Sequence, residues 1–343
     1  MSRRLYRTPA QSEPPQGRIS PSAPPLHEER TSHMPYTLRT METGDWDEVA
    51  VLIRSSTNAW YESHGRPAIF TGPADATRLF CEVYESLDPG CCILAVDDES
   101  GTIAGSCFYH PRPTHMSLGI MNVHPAHFGQ GIARRLLRHI TDLADAAGTP
   151  TRLVSSAMNL DSFSLYTRAG FVPRMTFQDM LLEVPAEGLP LEGVAGSERV
   201  REATAADLES IVALERELAH VERPGDHESF LTNTLGIWHV SVIESKDGKG
   251  IDGFLVSVRH PGSTMLGPGV MRTQEDAAAL IRSELNHHRG GCPVWLVPVE
   301  AGDLVRELYR LGARNCELHL AQVRGPWQPP SGIVMPTFMP ETM

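Results

Sequence analysis

The 343-residue chain has no CxxC pair, no HExxH, no GxxxxGK followed by Ser or Thr, and no apolar run long enough to span a bilayer. These absences leave zinc ribbons, redox dithiols, zincin-type hydrolases, nucleotide P-loops and transmembrane helices without their defining residues. Positive charge is also short. Thirty Lys and Arg against 42 Asp and Glu give a net charge of −12, which argues against nucleic acid, whose phosphates call for a basic face. The acidic balance suits cationic amines instead. Six cysteines (Cys81, Cys91, Cys92, Cys107, Cys292, Cys316) lie mostly in apolar strand-like runs, and they read as reduced, buried thiols of a cytoplasmic protein. The histidines are scattered, so no metal is expected. Residues 1–33 lack the apolar core of a signal peptide and are expected to be a disordered tail. Met34 competes with Met1 as the natural start.

What the chain does have is the stretch Met121 to Leu137, MNVHPAHFGQGIARRLL, in which an apolar strand turns through glycines into an amphipathic helix. Small residues at Gly129, Gly131 and Ala133 let the backbone approach a ligand closely. The helix that follows offers its unpaired N–H groups, so the turn is a ready anion cradle. Ile132, Leu136, Leu137, Ile140 and Leu143 form the apolar stripe, with Arg134, Arg135 and Arg138 elsewhere on the helix. The basic residues add attraction for a phosphorylated ligand.

The segment resembles the acetyl-CoA motif of the GCN5-related N-acetyltransferase (GNAT) family, Arg or Gln, two residues, Gly, one residue, then Gly or Ala. It maps onto Phe128, Gly129, Gln130, Gly131, Ile132 and Ala133, with Phe128 in place of the usual first residue. A second stretch, Asn159 to Phe171, matches the family's Asn, six residues, Tyr, then Gly-Phe pattern at Asn159, Tyr166, Gly170 and Phe171. The resemblance implies acetyl-CoA as co-substrate. It would be held by main-chain amides from Phe128 through Gln130, Ile132 and Ala133 to Arg134 and by the strand at Met121, Asn122 and Val123. Asn159 would hold the pantetheine arm or the turn. Tyr166 is implied as the general acid that protonates the departing thiolate.

An amine acceptor also needs a base, and His115 is the candidate by position, with Glu62, His64, His124 and a water relay as rivals. Substrate walls are expected from Trp60, Tyr61 and Glu62, with His64 and Arg66 beside them. The acceptor is a small-molecule or peptide amine, with no nucleic acid and no membrane as partner. A non-catalytic acyl-CoA sensor or scaffold is the rival reading.

The chain also carries an internal echo. Leu38 to Leu52 aligns without a gap on Val200 to Leu214, and Ile103-Ala104-Gly105 resembles Ile251-Asp252-Gly253. The expected architecture is α/β (α+β), two tandem GNAT-like domains, each a mixed, mostly antiparallel sheet flanked by helices. Residues 34–185 form the catalytic domain, 186–197 a linker, 198–325 a degenerate copy and 326–343 a tail. Laying Ala133–Leu137 on Ala277–Ile281 replaces Gly131 by Glu275, whose carboxylate opposes a pyrophosphate. Leu308 falls at the place of Tyr166. Such a copy is expected to be non-catalytic, with stabilisation, covering of the substrate groove and homodimerisation as the roles open to it.

Overall fold

Runs of alternating apolar residues, punctuated by Gly and Asp turns, set the strands, and residues 35–339 and 341–342 are described by a computed structural model. The expected N-terminal tail and Met34 lie outside the described residues. In chain order the first half holds β1 (Tyr36–Thr40), α1 (Trp46–Ser63), α2 (Arg78–Leu87), β2 (Cys92–Asp97), β3 (Ile103–Arg112) and β4 (His115–Val123). It continues with α3 (Ile132–Ala147), β5 (Thr151–Ser156), α4 (Leu160–Arg168) and β6 (Val172–Leu181). The same order then repeats as β7 (Val200–Glu202), α5 (Leu208–Ala219), α6 (Pro224–Thr232), β8 (Trp238–Glu244), β9 (Ile251–His260), β10 (Ser263–Met271), α7 (Gln274–Leu285), β11 (Val294–Pro298), α8 (Gly302–Leu311) and β12 (Arg314–Arg324). Three short strands follow: β13 (Ile333–Met335), β14 (Thr337–Phe338) and β15 (Glu341–Thr342).

One large, mostly antiparallel sheet runs through both halves in the order β1-β2-β3-β4-β5-β12-β6-β11-β10-β9-β8-β7, with β13 added to β10. Its centre is exchanged. The last strand of the second half, β12, lies between β5 and β6, while β6 in turn lies between β12 and β11. Each half is thus completed by a strand of the other. β6 starts at Val172, which pairs with Val323, a neighbour no local pattern reveals. Helix α1 runs to Ser63 because no Gly or Pro interrupts it before Gly65.

Parallel pairs β4/β5 and β10/β11 are crossed over by α3 and α7, and right-handed connections put both helices on one face. The other face carries the core under α1, α2, α5 and α6. Ile132, Leu136, Leu137 and Ile140 of α3 are fully buried, each contributing roughly 1.5–3 kcal/mol. Gly105 permits this contact, since a Cβ there would meet Ile132 at 2.8 Å and Leu136 at 3.3 Å. Gly253 does the same under Leu280, at 3.0 Å. The two glycine–leucine contacts fix the correspondence of α3 with α7 and put Glu275 where the first half has Gly131.

One expectation needs correction. Cys81, Cys92 and Cys107 are buried, but Cys91 and Cys316 are half-buried and Cys292 is exposed; all six are free thiols. Alternation in the flanking residues did not extend to the loop that carries Cys292. No helix among the described residues is long and apolar enough to cross a membrane.

Candidate active site

Strand β4 keeps company with β5 only at Met116–Thr151 and Ser117–Arg152, so from Leu118 onward the two strands part. A bulge falls there, where Gly119 and Ile120 face Phe108 alone. Gly119 is required by space: a Cβ would lie 3.0 Å from the His110 Nε2 and 3.1 Å from the Phe108 carbonyl oxygen. The open edge of β4 leads through Met121, Asn122 and Val123 into the glycine turn. Asn122 is buried and its amide donates to Ser56 Oγ at 2.8 Å, which ties β4 to α1.

In the turn, Gly129 and Gly131 adopt φ of +78° and +81°, a region open to glycine at little cost. Space around Gly129 is clear, with no atom within 4 Å of a Cβ placed there. Gly131 is the N-cap of α3 and no side chain caps that helix, so its first N–H groups face outward with the positive end of the helix dipole. The turn is pinned to β1. Tyr36 donates to Gln130, the Arg135 guanidinium donates to the Tyr36 carbonyl, and the Tyr36 hydroxyl lies 2.9 Å from His127 Nδ1. Phe128 is 49% exposed, and Arg134 is exposed on the first turn of α3. Backbone polarity and fixed geometry fit a diphosphate, and among the described residues nothing at Gly129 fills the space.

The second half lacks this arrangement for three visible reasons. Residues 124–131 link β4 to α3, whereas only residues 272 and 273 link β10 to α7. Helix α7 is capped by Thr273 and begins with Glu275 and Asp276, the latter buried and paired with Arg199 at 2.7 Å. The β10 edge itself is taken. Strand β13 pairs Met335, Val334 and Ile333 with Gly269, Val270 and Met271, the counterparts of Met121, Asn122 and Val123 by the register of Gly105 with Val123 and Gly253 with Met271. Residues 326–339, read from sequence as part of a tail, thus contribute a sheet strand and the buried Met335 and Met339.

Asn159 caps α4, its side chain accepting from the Ser162 N–H at 2.9 Å. Tyr166 is 6% exposed, with its ring 5.8 Å from that of Phe171. The Phe171 N–H donates to the Tyr166 carbonyl as the Ala313 N–H donates to that of Leu308, so Leu308 does hold the place of Tyr166.

His115 does not join these groups. It lies at the far end of β4, 1% exposed, with Nδ1 3.0 Å from Thr114 Oγ1. Burial, and then the nearby Arg152, Arg223 and Arg112, push its pKa well below the usual imidazole value. An imidazole sealed among three guanidiniums between the halves cannot reach an acceptor, and the base expected there is withdrawn. Its position in the sequence suggested the role; the burial of its end of β4 was not legible.

Trp60, Tyr61 and Glu62 end α1. Trp60 stacks on His64 at 4.3 Å and Glu62 is exposed. Tyr61 is the informative one: its hydroxyl donates to Glu317 of β12 at 3.0 Å, and Arg66 donates to the Cys316 carbonyl at 3.0 Å. Around Glu317 stand Ser156, which donates to its other oxygen, and the pair His319–Asp179 at 2.8 Å. The donor atoms of Asp179, Glu317 and His319 lie within 4.8 Å of one another. Burial raises the Asp179 pKa against the opposing pull of His319. Sequence reasoning missed this cluster, although Glu317 and His319 in a strand otherwise alternating into the core were the available signal. The backbone of β15 lies against β4 and β5 nearby, and Tyr84 donates to the Phe338 carbonyl at 3.0 Å.

Comparison with known proteins agrees with this geometry. The Acetyltransferase (GNAT) family model matches residues 57–171. A putative acetyltransferase from Pyrococcus horikoshii has a similar structure (TM-score 0.68, 15% identity, 92% of this chain and 99% of that one). So has a GCN5-related N-acetyltransferase from Sphaerobacter thermophilus (TM-score 0.58, 17% identity, 86% and 98%). A tandem GNAT protein from the clavulanic acid biosynthesis pathway follows at TM-score 0.53 and 14% identity, over 85% of this chain and all of that one. At such identities the likeness is one of fold. No curated protein matches the sequence. The family match spans β4, the glycine turn, α3 and α4, so residues 57–171 resemble the acetyltransferase (GNAT) family, and the two halves together have the fold of a tandem GNAT protein.

Proposed function

We propose that this chain is an acetyl-CoA-dependent N-acetyltransferase whose first half binds the thioester and passes its acetyl group directly to a primary amine. The observation that carries the reading is the contrast between the two β-strand edges. Among the described residues β4 has no hydrogen-bonded strand on that side beyond Ser117 and runs beside an uncapped α3, whereas β10 is paired with β13 beside a capped, acidic α7. Main-chain amides from 128 to 134 hold the diphosphate, and the free edge at Met121 to Val123 pairs with the amide-bearing pantetheine arm. Tyr166 protonates the departing sulfur. The second half serves the first as scaffold.

Titration with acetyl-CoA should give one site per chain, and a second site of similar affinity would overturn the role given to the second half. Gly131→Glu should weaken acetyl-CoA at least about tenfold, because a left-handed φ costs a side chain roughly 1–2 kcal/mol and a carboxylate then faces the diphosphate. Unchanged affinity in a folded variant would remove the cradle from the account. Thiol release across a panel of alkylamines, polyamines, aminoglycosides and peptide N-termini tests turnover. The binder reading has one observation in its favour, β15 lying against β4 and β5; acetyl-CoA binding with no thiol release for any amine would establish it.

A further inference from the structure

Glu317 belongs to the second half by sequence and to the first half by position. β12 slips register between Asn315 and Glu317, and the bulge brings Glu317 opposite Asp179, two residues along the strand and on the same face as the pairing of His319 with both Ser156 and Phe177. Residues directly opposite in a ladder share a face, and Phe177 belongs to the core under α1 and α2. Glu317 is therefore on the α1 face, whereas α4 with Tyr166 crosses over on the other. Ser156 links the two: its hydroxyl donates to Glu317 and accepts from the Met158 N–H at 3.1 Å, one residue before the Asn159 cap. A thioester lodged where β4 and β5 part would present its carbonyl between these faces.

The charges around Glu317 are unbalanced. Among the described residues Glu317 makes no ion pair, and Asp179 has only the His319 imidazole. The carboxylate is half-buried and both oxygens are already oriented, one by Tyr61 and one by Ser156. A half-buried, oriented carboxylate without a cation is a site for one.

Resting on the acetyltransferase reading, we propose that Glu317 is the acceptor's catalytic base and cation anchor, supplied to the first half by the exchanged strand, and that the acceptor is an alkylammonium. Glu317 binds R–NH3+ and takes one proton, leaving R–NH2. The nitrogen lone pair forms the C–N bond at the thioester carbonyl, the C–S bond breaks with its electron pair going to sulfur, and Tyr166 gives sulfur a proton. The second nitrogen proton restores the phenol, and the proton on Glu317 leaves to solvent. Tyr61 is a positioning residue that holds the carboxylate. Asp179 from β6, His319 and Cys316 from β12, and Tyr61 with Arg66 from α1 and its following loop are the titratable and charged groups that face it.

Glu317→Gln tests this with little loosening of the structure, since the carboxamide oxygen can still accept from one of Tyr61 and Ser156 while its NH2 donates to the other hydroxyl. With an alkylamine at pH 7, kcat/KM should fall about 100-fold, the size expected of a general base, while acetyl-CoA affinity stays within twofold. The deficit should shrink as pH rises toward the pKa of the amine, and it should be small for an arylamine, which is already neutral at pH 7. Glu317→Asp should recover part of the loss. A Gln variant within twofold of the parent at pH 7, or one equally impaired with both amines, overturns the proposal. Parent protein that binds acetyl-CoA but releases no thiol with any amine instead marks failure of the underlying reading, and the base assignment falls with it.

Discussion

Replacing Tyr166 by Phe is expected to lower kcat by about 100- to 1,000-fold while acetyl-CoA affinity remains within about twofold. In the proposed role the phenol is wanted when the C–S bond breaks. It therefore acts on the transition state and leaves the bound ground state alone. Phe keeps the ring that packs at 5.8 Å from Phe171, just beyond the end of α4, so the fold should tolerate the change. Steady-state kinetics with the best acceptor, set beside calorimetric titration, separates the two effects. Equal losses in rate and affinity would mean that the ring supports the cleft and does no proton transfer; no loss in either would remove Tyr166 from the chemistry.

Glu215→Gln should cost about 3–5 kcal/mol of folding stability, the range for breaking a buried ion pair. Glu215 of α5 is fully buried and accepts from Arg223 at 2.6 Å and from His227 at 2.9 Å. Arg152 is near enough to gain from the same charge, so the Gln variant strands buried cations. Burial alone would raise the Glu215 pKa, but Arg223 and His227 outweigh it and hold the value down to about 2, against an ordinary 4.5. Such a depressed acid stabilises fully above the unfolded value. Between pH 4.5 and 2 the unfolded chain binds the proton first, so the contribution drains away as pH falls. Over that interval the shift corresponds to about 3 kcal/mol. Denaturant melts of parent and variant should differ most near pH 7 and converge toward pH 2. A constant difference across that range would show that the ion pair is not its source.

How far the sequence carried the reading depended on where each contact partner lies in the chain. The glycine turn and α3 were legible because cap, glycines and apolar stripe are contiguous, and Asn159 with Tyr166 was legible as a spaced pattern. The internal echo announced two similar halves, down to Leu308 at the place of Tyr166. Long-range pairing was another matter. Val172 opposite Val323, Glu317 opposite Asp179, and β13 along Gly269 to Met271 all join residues whose local pattern is satisfied by several partners. His115 failed for the same reason, since what buries it comes from Arg223 and α5 of the other half. Polar residues on a core-facing strand, Glu317 and His319, were the mark left in the sequence. Reading them required knowing which strand would be their neighbour.

The exchange of β6 and β12 means that the two halves are interlocked by their backbones. Severed in the region of residues 186–197 and produced separately, the first half would have a gap between β5 and β6, and the second a gap between β11 and β12. Unfilled edges of that kind recruit foreign strands. The pieces should therefore reassociate or aggregate when parted, and the intact chain should melt in one cooperative step. A change in either closing strand is then felt in both halves at once, which binds a half without the glycine turn to the evolution of the half that has it.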